Sequence, residues 1–241
     1  MRMTIAIPAY NEQDYLPACL EHVLADVGRC GVADSIEVLV VDNASTDHTS
    51  LVAESFPGVR VVRETTKGLT HARQRALTEA HGEILAFVDA DTRMPAGWIA
   101  RVLKTFDADS GVVCVSGPYI YYDSSRFERA LIFIYWACLA MPVYWLTRYM
   151  AVGGNFAAER DALHTIDGFD LNIAFYGEDT NIARRLAQVG KVKFLMRLRM
   201  PTSPRRLHSE GLWTTAFKYV ANFLSEVVLK RPVTDTYQDV R

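Results

Sequence analysis

Short apolar runs alternate with helical patterns along the first half of the chain, and each run ends in polar residues. Strands are predicted over residues 4–7, 36–41, 59–63 and 84–88, and helices over residues 14–27, 45–56 and 70–80. This alternation is typical of βαβ units and a largely parallel sheet. Open α/β sheets bind ligands beyond the carboxyl ends of their strands, so we expect the site at that edge.

The second half of the chain does not continue the regular alternation of short strands and helices. We predict a helix over residues 98–106, a strand over 112–122, a turn-rich segment around Gly153 and Gly154, a helix over 179–188, a strand over 192–195, a basic loop to His208 and an amphipathic helix over 212–229. No repeat and no long Pro/Gly/Ser linker divides the chain, which favours a single domain over residues 1–241.

Composition narrows the class of protein. Half of the 241 residues are apolar, and the chain has 26 basic and 28 acidic side chains, for a formal charge of −2. These values exclude collagen-like and disordered chains, and they give no electrostatic case for a nucleic-acid partner. The four scattered cysteines indicate reduced, buried thiols, and residues 1–6 lack the features of a signal peptide, so we expect a cytoplasmic protein.

Asp89 and Asp91 directly follow the apolar run of residues 84–88. Two carboxylates at this spacing can hold a hard divalent cation through oxygen, and such a cation can neutralise a diphosphate. The alternative is a polar strand end whose acids cap a turn. The buried strand before them places both acids at the expected ligand edge and favours the functional interpretation.

Polar residues also follow the first two predicted strands. Pro8 fixes the turn after the first strand, and Tyr10 and Glu12 present an aromatic face and a carboxylate to the same crevice. Asp42 ends the second strand, where doubly wound folds place an acid that binds a nucleotide. For Asp47 we favour a structural role, as an acid at the start of a helix.

Three further groups of residues carry charge. Lys67 and Arg73 could face a phosphate or a base, whereas Arg75 fits an ordinary solvated helix charge. Glu178 and Asp179 open a helix, either as capping acids or with one of them as a general base. A basic loop that could contact a phosphate or a metal contains Arg205, Arg206 and His208.

As a set, these motifs resemble the inverting family-2 glycosyltransferases of the GT-A fold. The segments that carry the resemblance run in the family's order from residue 4 to about residue 208: PAYNE, VVDNASTD, KGLTHAR, FVDADT, GGNFAAERDAL, IDGFD and GEDTNIARRLAQVGKV. The resemblance implies a Rossmann-like three-layer α/β/α domain with a mostly parallel central sheet. Residues 1–92 would form the nucleotide-binding half, residues 93–210 the acceptor and catalytic half, and residues 211–241 a C-terminal helix and tail.

The resemblance also implies roles for single residues. Asp179 would be the catalytic base, and a Mn²⁺ or Mg²⁺ ion would be bound by Asp91, with Asp89 and His208 as further ligands. The donor nucleotide would be bound by Pro8, Tyr10, Glu12, Asp42, Lys67, Arg73 and Asp89. The sugar or acceptor would contact Gly153, Gly154, Asn155 and Glu178, and Arg205 and Arg206 would bind phosphate.

The implied reaction moves a sugar, with inversion, from a nucleotide-diphosphate sugar to a hydroxyl acceptor. A UDP-sugar is the donor that the resemblance favours, and lipid-linked and glycan acceptors both stay open. Two alternative functions stay open. DADT also fits the nucleophile motif of haloacid-dehalogenase-type phosphatases, with Asp89 attacking phosphorus, and the fold could serve as a non-catalytic nucleotide-binding scaffold.

Residues 130–147 contain no charged side chain, and they account for much of a mean hydropathy of +0.04 that is high for so charged a chain. The aromatic residues in this stretch favour a membrane interface or a protein partner over a bilayer centre. A buried core helix and a homodimer contact are the alternatives. We expect peripheral association with the inner face of the plasma membrane.

Overall fold

In the computed structural model, described for residues 1–173 and 177–205, the chain builds a mixed seven-stranded sheet in the order β3-β2-β1-β4-β7-β5-β8. A separate pair of strands, β6 and β9, lies parallel. The strands are β1 Met3–Ala9, β2 Ile36–Asn43, β3 Val59–Glu64, β4 Ile84–Val88, β5 Val112–Ser116, β6 Tyr119–Tyr121, β7 Asn155–Glu159, β8 Lys191–Phe194 and β9 Met200–Thr202.

The helices confirm most of the predicted elements. They are α1 Leu16–Arg29, α2 Thr49–Glu54, α3 Leu69–Glu79, α4 Trp98–Asp107, α5 Arg126–Ile134, α6 Met141–Thr147, α7 Arg160–Thr165 and α8 Glu178–Leu186. A π-helical segment, Tyr135–Ala140, joins α5 to α6 and ends two residues before Pro142, which has no backbone N–H to donate.

Alternating residues of the central strands supply two apolar cores, one on each face of the sheet. Ile5 and Ile7 pack with side chains of α1 and α4, whereas Ala6 packs with side chains of α3 and α8. Strands β1, β2 and β4 are buried along their whole length, which explains their continuous apolar sequences. The predicted three-layer α/β/α architecture is therefore confirmed.

The sheet departs from the prediction in its second half. β7 runs antiparallel to both β4 and β5 and was not predicted, because it is short and directly follows Gly153-Gly154. The predicted single strand over residues 112–122 is also wrong. It breaks at Gly117-Pro118, where a Cβ on Gly117 would lie 2.1 Å from the Leu198 carbonyl oxygen, and β6 leaves the main sheet to pair with β9.

The helix predicted over residues 45–56 is shorter than expected. Asp42 accepts a hydrogen bond from the Ser45 amide at 3.2 Å, and Asn11 accepts one from the Thr46 amide at 2.8 Å. These side chains hold residues 44–48 in a loop, and α2 begins only at Thr49. Asp47 accepts a bond from the Thr49 amide at 2.9 Å, which confirms its structural role at the helix start.

Glu37 on β2 hydrogen-bonds to both neighbouring strands, β1 and the edge strand β3, and to the turn before β4. It accepts hydrogen bonds from Thr4 Oγ1 at 2.6 Å, from the His81 amide at 3.0 Å and from Arg60 Nε at 2.9 Å. Burial alone would raise the pKa of Glu37, but these bonds outweigh it and hold the pKa below its ordinary value.

We expect Glu37→Gln to lower the free energy of unfolding by about 1–3 kcal/mol at neutral pH, because bonds to a buried carboxylate are lost. A depressed carboxyl pKa stabilises the fold above the unfolded-state pKa, and this stabilisation is lost as the pH falls through the folded-state value. The difference in the free energy of unfolding between the wild type and the variant should therefore become smaller in acid. Urea unfolding across the pH range measures it, with the exposed Glu54→Gln as control; a pH-independent difference would contradict the assignment.

Candidate active site

The carboxyl ends of β1, β2 and β4 meet at one edge of the sheet, as predicted. Two loops there are locked together, since the Asn11 amide donates to Ser45 Oγ at 3.0 Å and the Asn11 side chain accepts from Thr46. Asn11 and Ala44 both take left-handed backbone angles, with φ of 52° and 58°. Ala44 has no side chain that favours this conformation, and strain of this kind is concentrated at functional sites.

Four of the residues predicted to bind the nucleotide are brought to this end of the site. The Lys67 ammonium lies 4.0 Å from the centroid of the Tyr10 ring, and Asp42 is buried at the end of β2. Asn43 holds the loop that carries Lys67, since its side chain donates to the Thr66 carbonyl at 2.7 Å and accepts from the Gly68 amide at 2.7 Å. Pro8 is buried in β1 beside them.

The two acids after β4 have different partners. Asp89 accepts a hydrogen bond from the Tyr119 hydroxyl at 2.6 Å and lies 3.5 Å from a terminal nitrogen of Arg73. Asp91 pairs with Arg205 Nε at 2.9 Å and lies 3.3 Å from Thr202 Oγ1. The carboxylates therefore belong to separate polar clusters on the two sides of the strand end.

Arg205 is held by two acids at once. Besides Asp91, it binds both carboxylate oxygens of Glu12, at 2.9 and 2.5 Å. Burial raises the pKa of Asp91 to about 6, with the charges of Asp89 and Glu12 adding to the effect and Arg205 opposing it. The carboxylate of Glu12, predicted to contact the donor, is buried here and directed at Arg205.

A cleft of about 340 Å³ opens beside this cluster. The guanidinium of Arg205 lies 4.7 Å from the Tyr15 ring, and that of Arg93 lies 3.8 Å from the Tyr122 ring, so stacked cations and aromatic rings form two of its walls. Its lining comprises Asp14, Tyr15, Ala18, Asp91, Thr92, Arg93, Tyr122, Asp123, Ser203, Pro204 and Arg205.

Arg73 on α3 is the most deeply buried charge of the site. Its guanidinium contacts Glu178 at the start of α8 and lies near the stacked rings of Phe87 and Phe156, 5.8 and 5.9 Å from their centroids. Burial would lower the pKa of Arg73, but Glu178 and Asp89 more than offset this, so the group is charged. Burial raises the pKa of Glu178 to about 7, against the effect of Arg73.

Asp179 follows Glu178 in the first turn of α8, after Gly177 in a left-handed conformation with φ of 84°. Its carboxylate accepts hydrogen bonds from the Thr180 amide at 2.8 Å and from the backbone of Gly153. Burial raises the pKa of Asp179, and those amides partly oppose the shift. A carboxylate with a raised pKa is a stronger proton acceptor than an ordinary one.

The glycine loop before β7 fits closely between these groups. A Cβ on Gly153 would lie 2.7 Å from Glu178 Oε1, and one on Gly154 would lie 2.1 Å from the Tyr119 hydroxyl oxygen. Both positions therefore require glycine. The loop thus lies beside Asp89 and Glu178, and its binding to a sugar or acceptor stays a prediction.

The side chain of Asn155 has a different role from the predicted contact with sugar or acceptor. It is fully buried, donates to the carbonyls of Gly117 at 2.9 Å and Leu198 at 2.7 Å, and accepts from Trp98 Nε1 at 2.9 Å. All its hydrogen-bonding groups are used inside the fold. The prediction was wrong for this side chain, which ties the end of β5 to the segment before β9.

Other predicted residues have structural partners or lie outside the described residues. Glu178 is buried against Arg73, so its carboxylate is directed into the protein, and Arg75 forms an i,i+4 pair with Glu79 as expected for a solvated helix charge. Arg206 and His208 lie outside residues 1–173 and 177–205. Tyr119 was missed, and its only signal was its place among the aromatic residues that end the predicted strand over residues 112–122.

The oxygen ligands available in this site suit a hard divalent cation. Asp89 and Asp91 supply carboxylate oxygens; burial raises the pKa of Asp91, with smaller contributions from the charges of Asp89 and Glu12, and a bound cation would favour its charged form. Within the described ranges, no group of three or more His, Cys, Asp or Glu side chains could hold a metal ion. A third protein ligand would have to come from elsewhere, and His208 is the predicted one.

Comparison with known proteins decides the family. Residues 4–167 match Glycosyl transferase family 2. The chain belongs to this family. The predicted family and its class of enzyme are thereby confirmed, and the match replaces the phosphatase alternative. In keeping with this, Asp89 directly follows the fourth strand of the chain and is hydrogen-bonded to Tyr119, unlike a free nucleophile after a first strand.

Curated relatives of the family match about half of the chain. Glycosyltransferase GlyG of Streptococcus pneumoniae is 28% identical over 128 residues, covering 51% of this chain and 40% of that protein. Glycosyltransferase AglE of Haloferax volcanii is 31% identical over 120 residues, covering 48% of this chain and 38% of that protein. The matches thus span less than half the length of these relatives.

Solved structures extend the likeness to nearly the whole chain and confirm the GT-A fold. The mannosyltransferase PcManGT of Pyrobaculum calidifontis, in complex with GDP-Man and Mn²⁺, has a TM-score of 0.70 at 25% identity and covers 95% of this chain and 63% of that one. Glucosyl-3-phosphoglycerate synthase of Mycobacterium tuberculosis, with Mn²⁺, UDP-Glc and phosphoglyceric acid, has a TM-score of 0.63 at 20% identity and covers 93% and 79%.

We expect Arg73→Met to lower the free energy of unfolding by about 3–5 kcal/mol near neutral pH, since it leaves buried carboxylates without their cation. Protonation relieves uncompensated carboxylates, so the loss should be smaller in mild acid than in mild base. Urea unfolding at both pH values tests this. Arg75→Met, on the same helix but half exposed, is the matched control and should cost below about 1 kcal/mol; equal losses for the two variants would refute the role of Arg73.

Proposed function

We propose that this protein transfers a sugar from a nucleotide-diphosphate sugar to a hydroxyl acceptor with inversion at the anomeric carbon. The observation that carries the proposal is the convergence of Asp89 and Glu178 on Arg73 at the carboxyl edge of the sheet, in a chain of this family. Asp179 directly follows Glu178, so this contact brings a donor-side acid and a second acid suited to accept a proton to the same buried cation, whose charge acts on both.

The nucleotide end of the site, which would bind the donor, is formed by Tyr10, Asp42 and Lys67, and Asp42 contacts the base. The Lys67 ammonium over the Tyr10 ring supports this, because both groups reach the same end of the sheet as Asp42. We propose a UDP-sugar as the donor. The two structural neighbours were solved with GDP-Man and UDP-Glc, so a binding screen should include both.

For the chemistry, Asp179 takes the proton from the acceptor hydroxyl while the acceptor oxygen attacks the anomeric carbon from the side opposite the diphosphate. The bond to the diphosphate breaks as the new bond forms, and this displacement inverts the configuration. The raised pKa of Asp179 suits it to the role, and activity should fall as the pH drops through that pKa.

A Mn²⁺ or Mg²⁺ ion, when bound at Asp91 with Asp89 and His208 as further ligands, would neutralise charge on the diphosphate. Arg205 and Arg206 are the proposed phosphate contacts. Arg205 Nε lies 2.9 Å from the Asp91 carboxylate, which supports the proposal by placing a guanidinium beside the proposed metal ligand. The acceptor is a hydroxyl compound, with lipid-linked and glycan acceptors both compatible with the proposal.

We expect Asp179→Asn to lower the rate of transfer about 100- to 10,000-fold, the usual contribution of a general base, while leaving donor binding nearly intact. Release of nucleoside diphosphate from the donor measures turnover, and calorimetry measures binding. Asp161→Asn, an exposed acid on α7, is the matched control. A variant at position 179 that keeps the wild-type rate would remove Asp179 from the role, and a wild type without any turnover would favour a non-catalytic scaffold.

We expect Asp91→Asn to abolish the part of donor binding that depends on a divalent ion, because a neutral amide is a poor ligand for a hard cation. Calorimetric titration of UDP-glucose and GDP-mannose, with Mn²⁺ and with a chelator, measures this part for each protein. The wild type should bind more tightly with Mn²⁺, and the variant equally under both conditions. An undiminished Mn²⁺ effect in the variant would contradict the assignment of Asp91.

A further inference from the structure

Residues 126–147 form one helical rod, which we call the edge helix, made of α5, the π-helical segment and α6. Two aromatic side chains fix its inner side to the body of the protein. The Trp136 ring stacks on Phe194 with centroids 5.4 Å apart and donates to the Tyr119 carbonyl at 3.2 Å. The Tyr144 hydroxyl donates to the Val192 carbonyl at 3.2 Å. The helix therefore lies flat along β8, the edge strand of the sheet.

The outer side of the edge helix is apolar and open. Leu146 is 84% exposed and Trp145 59% exposed, and three more large apolar side chains are at least half exposed, namely Phe133, Ile134 and Leu139. An 18-residue window within Glu128–Thr147 has a mean hydropathy of 1.7, and only 6% of that window is buried. Single exposed apolar residues are common, but a continuous face of this kind marks an interaction surface.

Charge at the two ends of this face favours one kind of partner. Arg129 and Arg148 are exposed and flank a stretch without any charged residue. Glu128 is engaged within its own helix turn, where its carboxylate accepts from the Ser125 amide at 2.7 Å. Two cations bordering an apolar face with interfacial aromatic residues match the pattern of helices that lie in the plane of an anionic membrane surface.

We propose that the edge helix binds an anionic bilayer surface with its axis in the membrane plane. By length and composition it could also cross a membrane, but a spanning orientation would have to break both anchors, Trp136 and Tyr144. Self-association is disfavoured, since pairing two copies along this face brings arginine against arginine in either direction. Neither argument depends on sugar transfer, so this proposal and the proposed function can fail separately.

Cys138 offers a reporter in the middle of the edge helix. It is exposed, whereas Cys19 and Cys114 are buried and Cys30 is partly so. In a Cys30→Ser background, we expect a water-soluble thiol reagent to modify Cys138 rapidly at all protein concentrations. Vesicles containing phosphatidylglycerol should slow the reaction at least about tenfold, and high salt should restore part of the rate because it screens the arginines.

Three outcomes of this experiment would overturn the proposal. Slow modification without vesicles at every protein concentration would mean that the chain itself covers the face, with residues 206–241 as the first candidate. Protection that grows with protein concentration would mean that a second copy covers it. Fast modification in the presence of phosphatidylglycerol vesicles would mean that no bilayer binds there.

Vesicle flotation with matched variants gives an independent test. Leu146→Glu should abolish flotation with phosphatidylglycerol vesicles, and because the side chain is exposed its melting temperature should stay close to that of the wild type. Leu51→Glu is the control, since Leu51 is 63% exposed on α2, which packs at β3 on the opposite edge of the sheet. Equal flotation of the two variants, or a wild type that fails to float at low salt, would refute the proposal.

The depth of Trp145 separates the in-plane orientation from a spanning one. The difference in fluorescence between the wild type and Trp145→Phe isolates the signal of this residue. Brominated lipids with bromine near the headgroup should quench it more strongly than lipids with bromine near the chain end. Stronger quenching by the deep bromines would refute the in-plane orientation.

Discussion

The buried guanidinium of Arg73 is the constraint around which the active-site end of this fold is arranged. Arginine does not lose its proton in a protein, so a fully buried Arg73 requires acids beside it. Asp89 comes from the end of β4 and Glu178 from the start of α8, and both are held to the same cation. This contact holds the start of α8 near the end of β4 and thereby sets where Asp179 lies.

The glycine loop and Tyr119 complete the same arrangement. Gly153 and Gly154 let the backbone pass where any Cβ would collide with Glu178 or with the Tyr119 hydroxyl. On the other side of β4, Arg205 joins Asp91 to Glu12. Two acids separated by one residue are thus fixed by different cations, and this geometry lets Asp89 and Asp91 serve different partners.

The elements that could be predicted from sequence are those whose pattern is local. β1, β2 and β4 are buried on both faces, so their apolar runs are continuous and their polar ends mark the site. Other features depend on contacts distant in sequence. The break at Gly117-Pro118 depends on Leu198, the burial of Asn155 depends on Trp98 and Leu198, and the orientation of Glu178 depends on Arg73. No periodicity in the sequence reports such contacts.

The antiparallel β7 has a consequence for how the molecule is made. β4 pairs with β1 on one side, but its other edge is covered only by residues 155–159. During synthesis, the first four strands can therefore assemble while one edge of β4 stays unpaired until β7 has also left the ribosome. Unpaired edges invite aggregation, and pairing across such a separation is slow. The carboxyl edge formed by β1, β2 and β4 is thus synthesised early, but its sheet is completed late.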